Sequence, residues 1–373
     1  MKRFSLILLN KVLAVTGGII LLLTSLFFTA CNGNSNNDNS VDEPKEIKMP
    51  ADSTKSKMAV TNDSSLLTIA SISETKDGKN MELRFYEREA TYSIDKNNKI
   101  YSANADLLTQ ALKNNTPVKL VSNPSTHTIG NIIKARDEEV KAYNNGDGIN
   151  SPKMKIRSAA PVSIDVSKID TSKFNRVDYQ LRFPIFKFCN NVVPDYATLV
   201  AMFNYCASQG CNNPPPYTIT NCIPFQYVRD GCYARAHKMR QMIMAKYGYC
   251  VEKVFSYGIN PNTLAVKAGM WGGCCVTWWY HVVPLLRLNV KYRGLTLQFC
   301  YVIDPGMFTG PVTLSTWLQA QANVTCAGNA KVTSYSIQPG TAYWPMNGGY
   351  GTDPNYVLTE QTLIGYHNGI TCN

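Results

Sequence analysis

Apolar positions repeat with different periods along this chain, and each change of period marks a new segment. A basic start, Met1-Lys2-Arg3 with Lys11, leads into an apolar run from Val12 to Phe28 that closes on Thr29-Ala30-Cys31. The run is short for a membrane span and has the order of an export signal, predicted over residues 1–30. Residues 31–57 are mostly Asn, Asp, Ser and Lys with little to bury, so they read as a flexible tether reaching roughly 25–30 Å as a coil. Structured patterning starts at 58. Met81-Glu82-Leu83-Arg84-Phe85-Tyr86 alternates as a strand, Leu107, Leu108, Ala111 and Leu112 share one face of a helix over 105–113, and Val118 to Val121 returns to strand character. A small α/β module over 58–144 follows. The connector, 145–187, opens on Asn145-Gly146-Asp147-Gly148 and carries Lys153, Lys155 and Arg157, an exposed target for proteases.

The last segment, 188–373, mixes both periods. Trp278-Trp279-Tyr280-His281-Val282-Val283 and Tyr301-Val302-Ile303-Asp304-Pro305 are β-branched and aromatic and read as strands. Lys291-Tyr292-Arg293-Gly294 has the composition of a turn between them. A helix is predicted to start at Cys232, capped by Asp230 or Gly231 and ended by Gly248. Helix and antiparallel strands in one segment predict an α+β fold.

Cysteine usage separates the halves. None of the 12 cysteines lies between Cys31 and Cys189. Cys31 follows Phe28-Thr29-Ala30 as in a bacterial lipobox, which predicts its lipidation and an exported, membrane-anchored chain. With Cys232 set aside for chemistry, the other ten can form five disulfides in an oxidising compartment, the neighbours Cys274 and Cys275 bonding to separate partners. There is no Cys-x-x-Cys pair, so no metal is expected. The formal charge is +11, of which residues from Phe188 onward hold 11 basic and 6 acidic. No basic run is interleaved with stacking aromatics, which argues against nucleic acid and for acidic protein surfaces as partners.

A thiol at a helix start meets unpaired N–H groups and the positive end of the dipole, so Cys232 reads as a nucleophile. His281 is the best base and Asp304 its orienting carboxylate. A hairpin folded about the midpoint of Tyr292 and Arg293 would set the two directly opposite, about 5 Å apart. His237, five residues along the same helix, points about 140° away and reads as structural. His127 and His367 have no chemical context in the sequence.

The order Cys, His, Asp is that of papain-like and transglutaminase-like thiol enzymes. The strings Asp230-Gly231-Cys232-Tyr233-Ala234-Arg235-Ala236-His237-Lys238-Met239-Arg240-Gln241, Cys274-Cys275-Val276, Tyr280-His281-Val282, Ile303-Asp304-Pro305 and Val193-Pro194-Asp195-Tyr196-Ala197-Thr198-Leu199 resemble the bacterial protein-glutaminases. Leu107 to Val118 and Ile129-Gly130 are similar to the pro-region of that family. The resemblance implies a papain/transglutaminase-like catalytic core behind an inhibitory pro-domain, and a catalytic triad of Cys232, His281 and Asp304 without a cofactor. It further implies deamidation of glutamine in proteins or peptides through a thioester, and activation by a protease cutting between Asn145 and Arg182. A cysteine protease or transglutaminase with the same core, and a non-catalytic surface-binding lipoprotein, are the competing readings.

Overall fold

A computed structural model describes residues 65–123, 126–145, 179–180, 188–189, 192–292, 295–369 and 372. The expected signal peptide, Cys31, the tether and nearly all of the connector with its expected cleavage site lie outside the described residues. Among the described residues no helix is long and apolar enough to cross a membrane.

The N-terminal module runs β1 (Leu66–Leu67), β2 (Ile69–Glu74), β3 (Asn80–Phe85), β4 (Thr91–Asp95), α1 (Lys99–Asn114), β5 (Val118–Ser122), β6 (Ile129–Lys134) and α2 (Asp137–Asn145). Two antiparallel sheets, β2-β3-β4 and β1-β5-β6, enclose Leu83, Phe85, Tyr92, Leu108, Val118, Leu120 and Ile132. Helix α1 starts earlier than its apolar repeat predicts. The side chain of Asn98 accepts from the Ile100 N–H and caps a first turn whose composition gives no periodic signal.

The C-terminal module contains β7 (Tyr179–Gln180), α3 (Tyr196–Ser208), α4 (Cys232–Tyr247), β8 (Glu252–Tyr257), β9 (Leu264–Lys267), β10 (Cys275–Trp278), β11 (Tyr280–Tyr292) and β12 (Leu295–Val302). It continues through β13 (Val312–Thr313), α5 (Leu314–Ala320), β14 (Ser334–Gln338), β15 (Ala342–Met346), β16 (Gly349–Thr352) and α6 (Val357–Tyr366). The main sheet is antiparallel in the order β13-β12-β11-β8-β14, with β7 also paired to β12. Strand β11 shows why it sits in the middle. Its Tyr280, Val282, Leu286 and Leu288 pack with Leu199, Phe203, Tyr233 and Met239 of α3 and α4, while Val283 and Leu285 face a second cluster with Trp278, Trp317 and Leu318. Both faces of the sheet are therefore covered, and the fold is α+β.

Strand β11 and β12 pair from Tyr292 opposite Leu295 to Leu285 opposite Val302. The pairing is centred midway between Tyr292 and Leu295, not midway between Tyr292 and Arg293. His281 is consequently opposite Ser256 of β8, and Asp304 lies past the end of β12. The predicted register is off by two residues. An even slip keeps every side chain on its original face, so His281 and Asp304 still meet.

Among the described residues four disulfides form in place of the expected five: Cys189–Cys250, Cys211–Cys222, Cys274–Cys372 and Cys275–Cys326. The vicinal pair does split between two partners. Cys206 and Cys300 stay outside the bridges, both fully buried, one in the apolar face of α3 and the other on β12 beside Arg287. Counting cysteines cannot distinguish a core thiol from a bridged one.

At the centre of the sheet, Glu252 receives Arg287 Nε at 2.5 Å, and both side chains are buried. Removing one partner would strand the other charge in the interior. Glu252→Gln is expected to cost about 3 kcal/mol, read as a lower denaturation midpoint with an unchanged m-value.

Candidate active site

Cys232 is the first helical residue of α4. Gly231 before it takes φ 85°, a left-handed conformation, and a Cβ there would come within 2.8 Å of Tyr366, so only glycine makes this turn cheaply. The Asp230 carboxylate steadies the turn by accepting the Gly231 N–H at 2.8 Å and the Tyr366 hydroxyl at 2.8 Å. Arg235, one turn further on, donates Nη1 to the carbonyls of Tyr227 and Asp230 and is thereby fixed with Nη2 toward the helix start.

His281 enters from the beginning of β11. Its Nε2–H donates to Asp304 Oδ2 at 3.0 Å, and the same oxygen accepts Trp317 Nε1–H at 3.0 Å. The ring lies between Trp278 and Trp317, with centroids at 4.6 and 5.6 Å. Asp304 Oδ1 accepts the Gly306 N–H, so the carboxylate is itself held by the turn that follows β12. The structure thus brings Cys232, His281 and Asp304 together, while Cys31 lies outside the described residues. His237 is elsewhere, buried between Lys253 and the Asp353 carbonyl, and His367 lies against the Cys211–Cys222 bridge.

The residue that sequence reasoning missed is Glu89. It belongs to the N-terminal module, in the loop between β3 and β4, and its side chain is completely buried in the C-terminal module. Oε1 accepts the Cys232 backbone N–H at 3.2 Å and faces Arg235 Nη2 at 3.5 Å, while Oε2 lies 3.3 Å from His281 Nδ1. A ligating atom each from Glu89, Cys232 and His281 falls within 4.8 Å of the others. An anion at a helix N-terminus is a stable arrangement on general grounds. Nothing in Glu87-Arg88-Glu89 distinguishes it in sequence from a solvated charge run. Its neighbours fix the loop: Glu87 turns back to the Thr68 N–H and the Tyr143 hydroxyl, and the Trp279 N–H donates to the Glu89 carbonyl at 3.0 Å.

These contacts set the protonation states. Burial pulls His281 down, but hydrogen bonds to Asp304 and Glu89 outweigh it, so its pKa ends above the usual value. Asp304 is pushed up by burial and brought below the usual carboxylate value by His281 and Trp317. For Cys232, burial and then the Glu89 charge drive the thiol pKa far up, against the opposing pull of Arg235. The helix-dipole argument predicts an ionised sulfur; with Glu89 in place, burial first and the carboxylate second push the sulfur toward its protonated form.

Glu89→Ala in the full chain is expected to lower the pKa of Cys232, seen as thiolate ultraviolet absorbance at lower pH once the Cys232→Ser signal is subtracted. The raised His281 pKa stabilises the covered form fully below the unfolded value of 6.5, a contribution lost as pH rises through the higher folded value. The Tm difference between the wild type and Glu89→Ala should therefore narrow as pH rises through that range. A difference that stays flat would remove the charged imidazole from the account.

A glutaminase family model matches residues 199–321. The crystal structure of a pro-protein-glutaminase aligns with a TM-score of 0.61 and 29% identity, covering 83% of this chain and 93% of that one. A mutant of the pro-protein gives the same TM-score and identity over 94% of its length. Protein-glutaminase from Chryseobacterium proteolyticum is 38% identical over 49% of this chain and 92% of that one, with a TM-score of 0.42. No curated protein matches. The chain belongs to the protein-glutaminase family.

Proposed function

We propose that this chain is an exported pro-enzyme that hydrolyses glutamine side chains in proteins to glutamate and ammonia, with Cys232 as nucleophile, His281 as acid and base, and Asp304 as its orienting partner. The observation that carries the reading is the seat of Glu89. A glutamate side chain, the product of such a reaction, reaches Cys232 and His281 while its main chain is held apart by Asp230 and Trp279. A peptidase would need the main-chain carbonyl at the sulfur, so this seat favours side-chain amides over peptide bonds.

With a substrate glutamine in that seat, the Cys232 thiolate attacks the side-chain carbonyl carbon. The oxyanion forms where Glu89 Oε1 now lies, facing the Cys232 N–H and Arg235 Nη2. The His281 imidazolium, steadied by Asp304, protonates the departing nitrogen, ammonia leaves, and a thioester remains. Neutral His281 then takes a proton from water, the hydroxide adds to the thioester carbonyl, and glutamate and the thiol are released.

The same reading includes inhibition by residues 58–144, cleavage within the connector by another protease, and a lipid anchor on Cys31 that holds the enzyme at the bacterial envelope. The polar composition of the connector and the Phe-Thr-Ala-Cys string support these steps.

The decisive experiment compares the proteolytically processed chain, wild type and Cys232→Ala, on a glutamine-rich protein. Ammonia with an intact, more acidic protein is expected from the wild type alone; new N-termini would mean proteolysis and covalent dimers transamidation. His281→Ala should lower kcat by about 10²–10⁴-fold. In the uncut chain, Glu89→Gln places an amide in the seat. Mass spectrometry should find it converted to acid, or trapped as a thioester with loss of ammonia, and unchanged when Cys232 is alanine.

A further inference from the structure

Next to the seat of Glu89, the pro-domain places a second side chain that the deamidation chemistry does not use. Arg88 is 6% exposed and reaches into the C-terminal module beside the catalytic helix. Its Nε lies 3.4 Å from Asp230 Oδ2 and its Nη1 donates to the Tyr233 hydroxyl at 3.0 Å. The pro-domain contributes two further contacts, Nη1 to the Glu87 carbonyl at 3.4 Å and Nη2 to Ser65 Oγ at 3.1 Å. Asp230 is 1% exposed and Tyr233 fully buried, so this is a built slot and not a surface contact.

The slot has a defined relation to the reacting residue. Asp230 Oδ1 accepts the Glu89 N–H at 3.1 Å, and the Trp279 indole N–H donates to the Arg88 carbonyl at 2.7 Å. The main chain of Arg88-Glu89 is therefore held by Asp230, which also pairs with the Arg88 side chain, and by Trp279. When the pro-domain leaves, Asp230 keeps the Gly231 N–H and the Tyr366 hydroxyl but loses the paired cation, and a buried carboxylate without one is costly.

We propose that Asp230 and Tyr233 form a substrate subsite for arginine, so that the enzyme prefers glutamines whose preceding residue is arginine. The proposal rests on the deamidation reading. Two acceptors served by Nε and Nη1 match the rigid fork of a guanidinium, whereas a lysine ammonium can reach only one of them at full strength. A glutamate before the target glutamine would face the Asp230 carboxylate and be rejected.

The test measures ammonia release by the processed chain from acetylated Ala-Xaa-Gln-Ala amides with Xaa as Arg, Lys, Ala or Glu. The expected order of kcat/KM is Arg, Lys, Ala, Glu, with Arg at least about tenfold above Ala and the difference expressed in KM. Asp230→Asn should abolish the advantage of Arg over Ala. Because Asp230 also steadies the turn before Cys232, Tyr233→Phe provides a second variant, expected to shrink the ratio of kcat/KM for the Arg peptide to that for the Ala peptide. Equal rates for the Arg and Ala peptides would overturn the subsite while leaving deamidation standing. Absence of ammonia from every peptide and from protein substrates would overturn the deamidation reading and the subsite with it.

Discussion

One negative charge fits at the start of helix α4, and two groups compete for it. The Cys232 N–H, Arg235 and His281 all face that point, and the Glu89 carboxylate fills it. A thiolate on Cys232 would lie within 4.8 Å of that carboxylate in a buried site, where like charges repel far more than in water. Glu89 in place therefore opposes a thiolate on Cys232, and its departure would remove that opposition. On the proposed function, inhibition and activation would be two occupancies of this one site, with burial of the sulfur and the Glu89 charge acting in the same direction.

On the proposed function, a single loop would control the enzyme. The loop between β3 and β4 is fixed behind by Glu87 to Thr68 and Tyr143, and in front by Arg84, which donates to the carbonyls of Gly258 and Asn262. Those contacts do not involve the connector. Cutting the connector leaves them intact and changes only the effective concentration of the pro-domain, from intramolecular to whatever the surroundings provide. A cut alone would thus release the enzyme by dilution or by further digestion of the pro-domain.

The sequence made the chemistry of the C-terminal module legible because each catalytic-type residue coincides with a local structural signal: Cys232 with a glycine turn and a helix start, His281 and Asp304 with aromatic and β-branched strands. The two-residue error in the hairpin did no harm, since strand faces repeat every two residues. Glu89 was illegible for the opposite reason. Its burial depends on contacts across 143 positions to Cys232 and 192 to His281, and no local pattern encodes such distances. Trp317 likewise reads as core filling; only the fold shows its indole N–H on Asp304 and its ring on His281. The surplus of two cysteines outside the bridges has the same origin, because burial in an apolar face and bridging both suit a cysteine.

His237 raises the remaining question of why a second histidine on α4 does not compete with His281. Both are buried, yet their environments push in opposite directions. His281 lies between two carboxylates and is drawn toward its charged form. His237 Nδ1 accepts from Lys253 Nζ at 2.8 Å and its Nε2–H donates to the Asp353 carbonyl, so both nitrogens are occupied in one neutral tautomer. Burial first, and then the neighbouring cations, hold its pKa far below the usual value, and burial pulls Lys253 down as well. A histidine that neither releases nor gains a proton near neutrality cannot serve as acid or base. What it does instead is tie α4, through Lys253 on β8, to the Ala342 carbonyl of β15, which sets the helix at the depth where Cys232 meets His281.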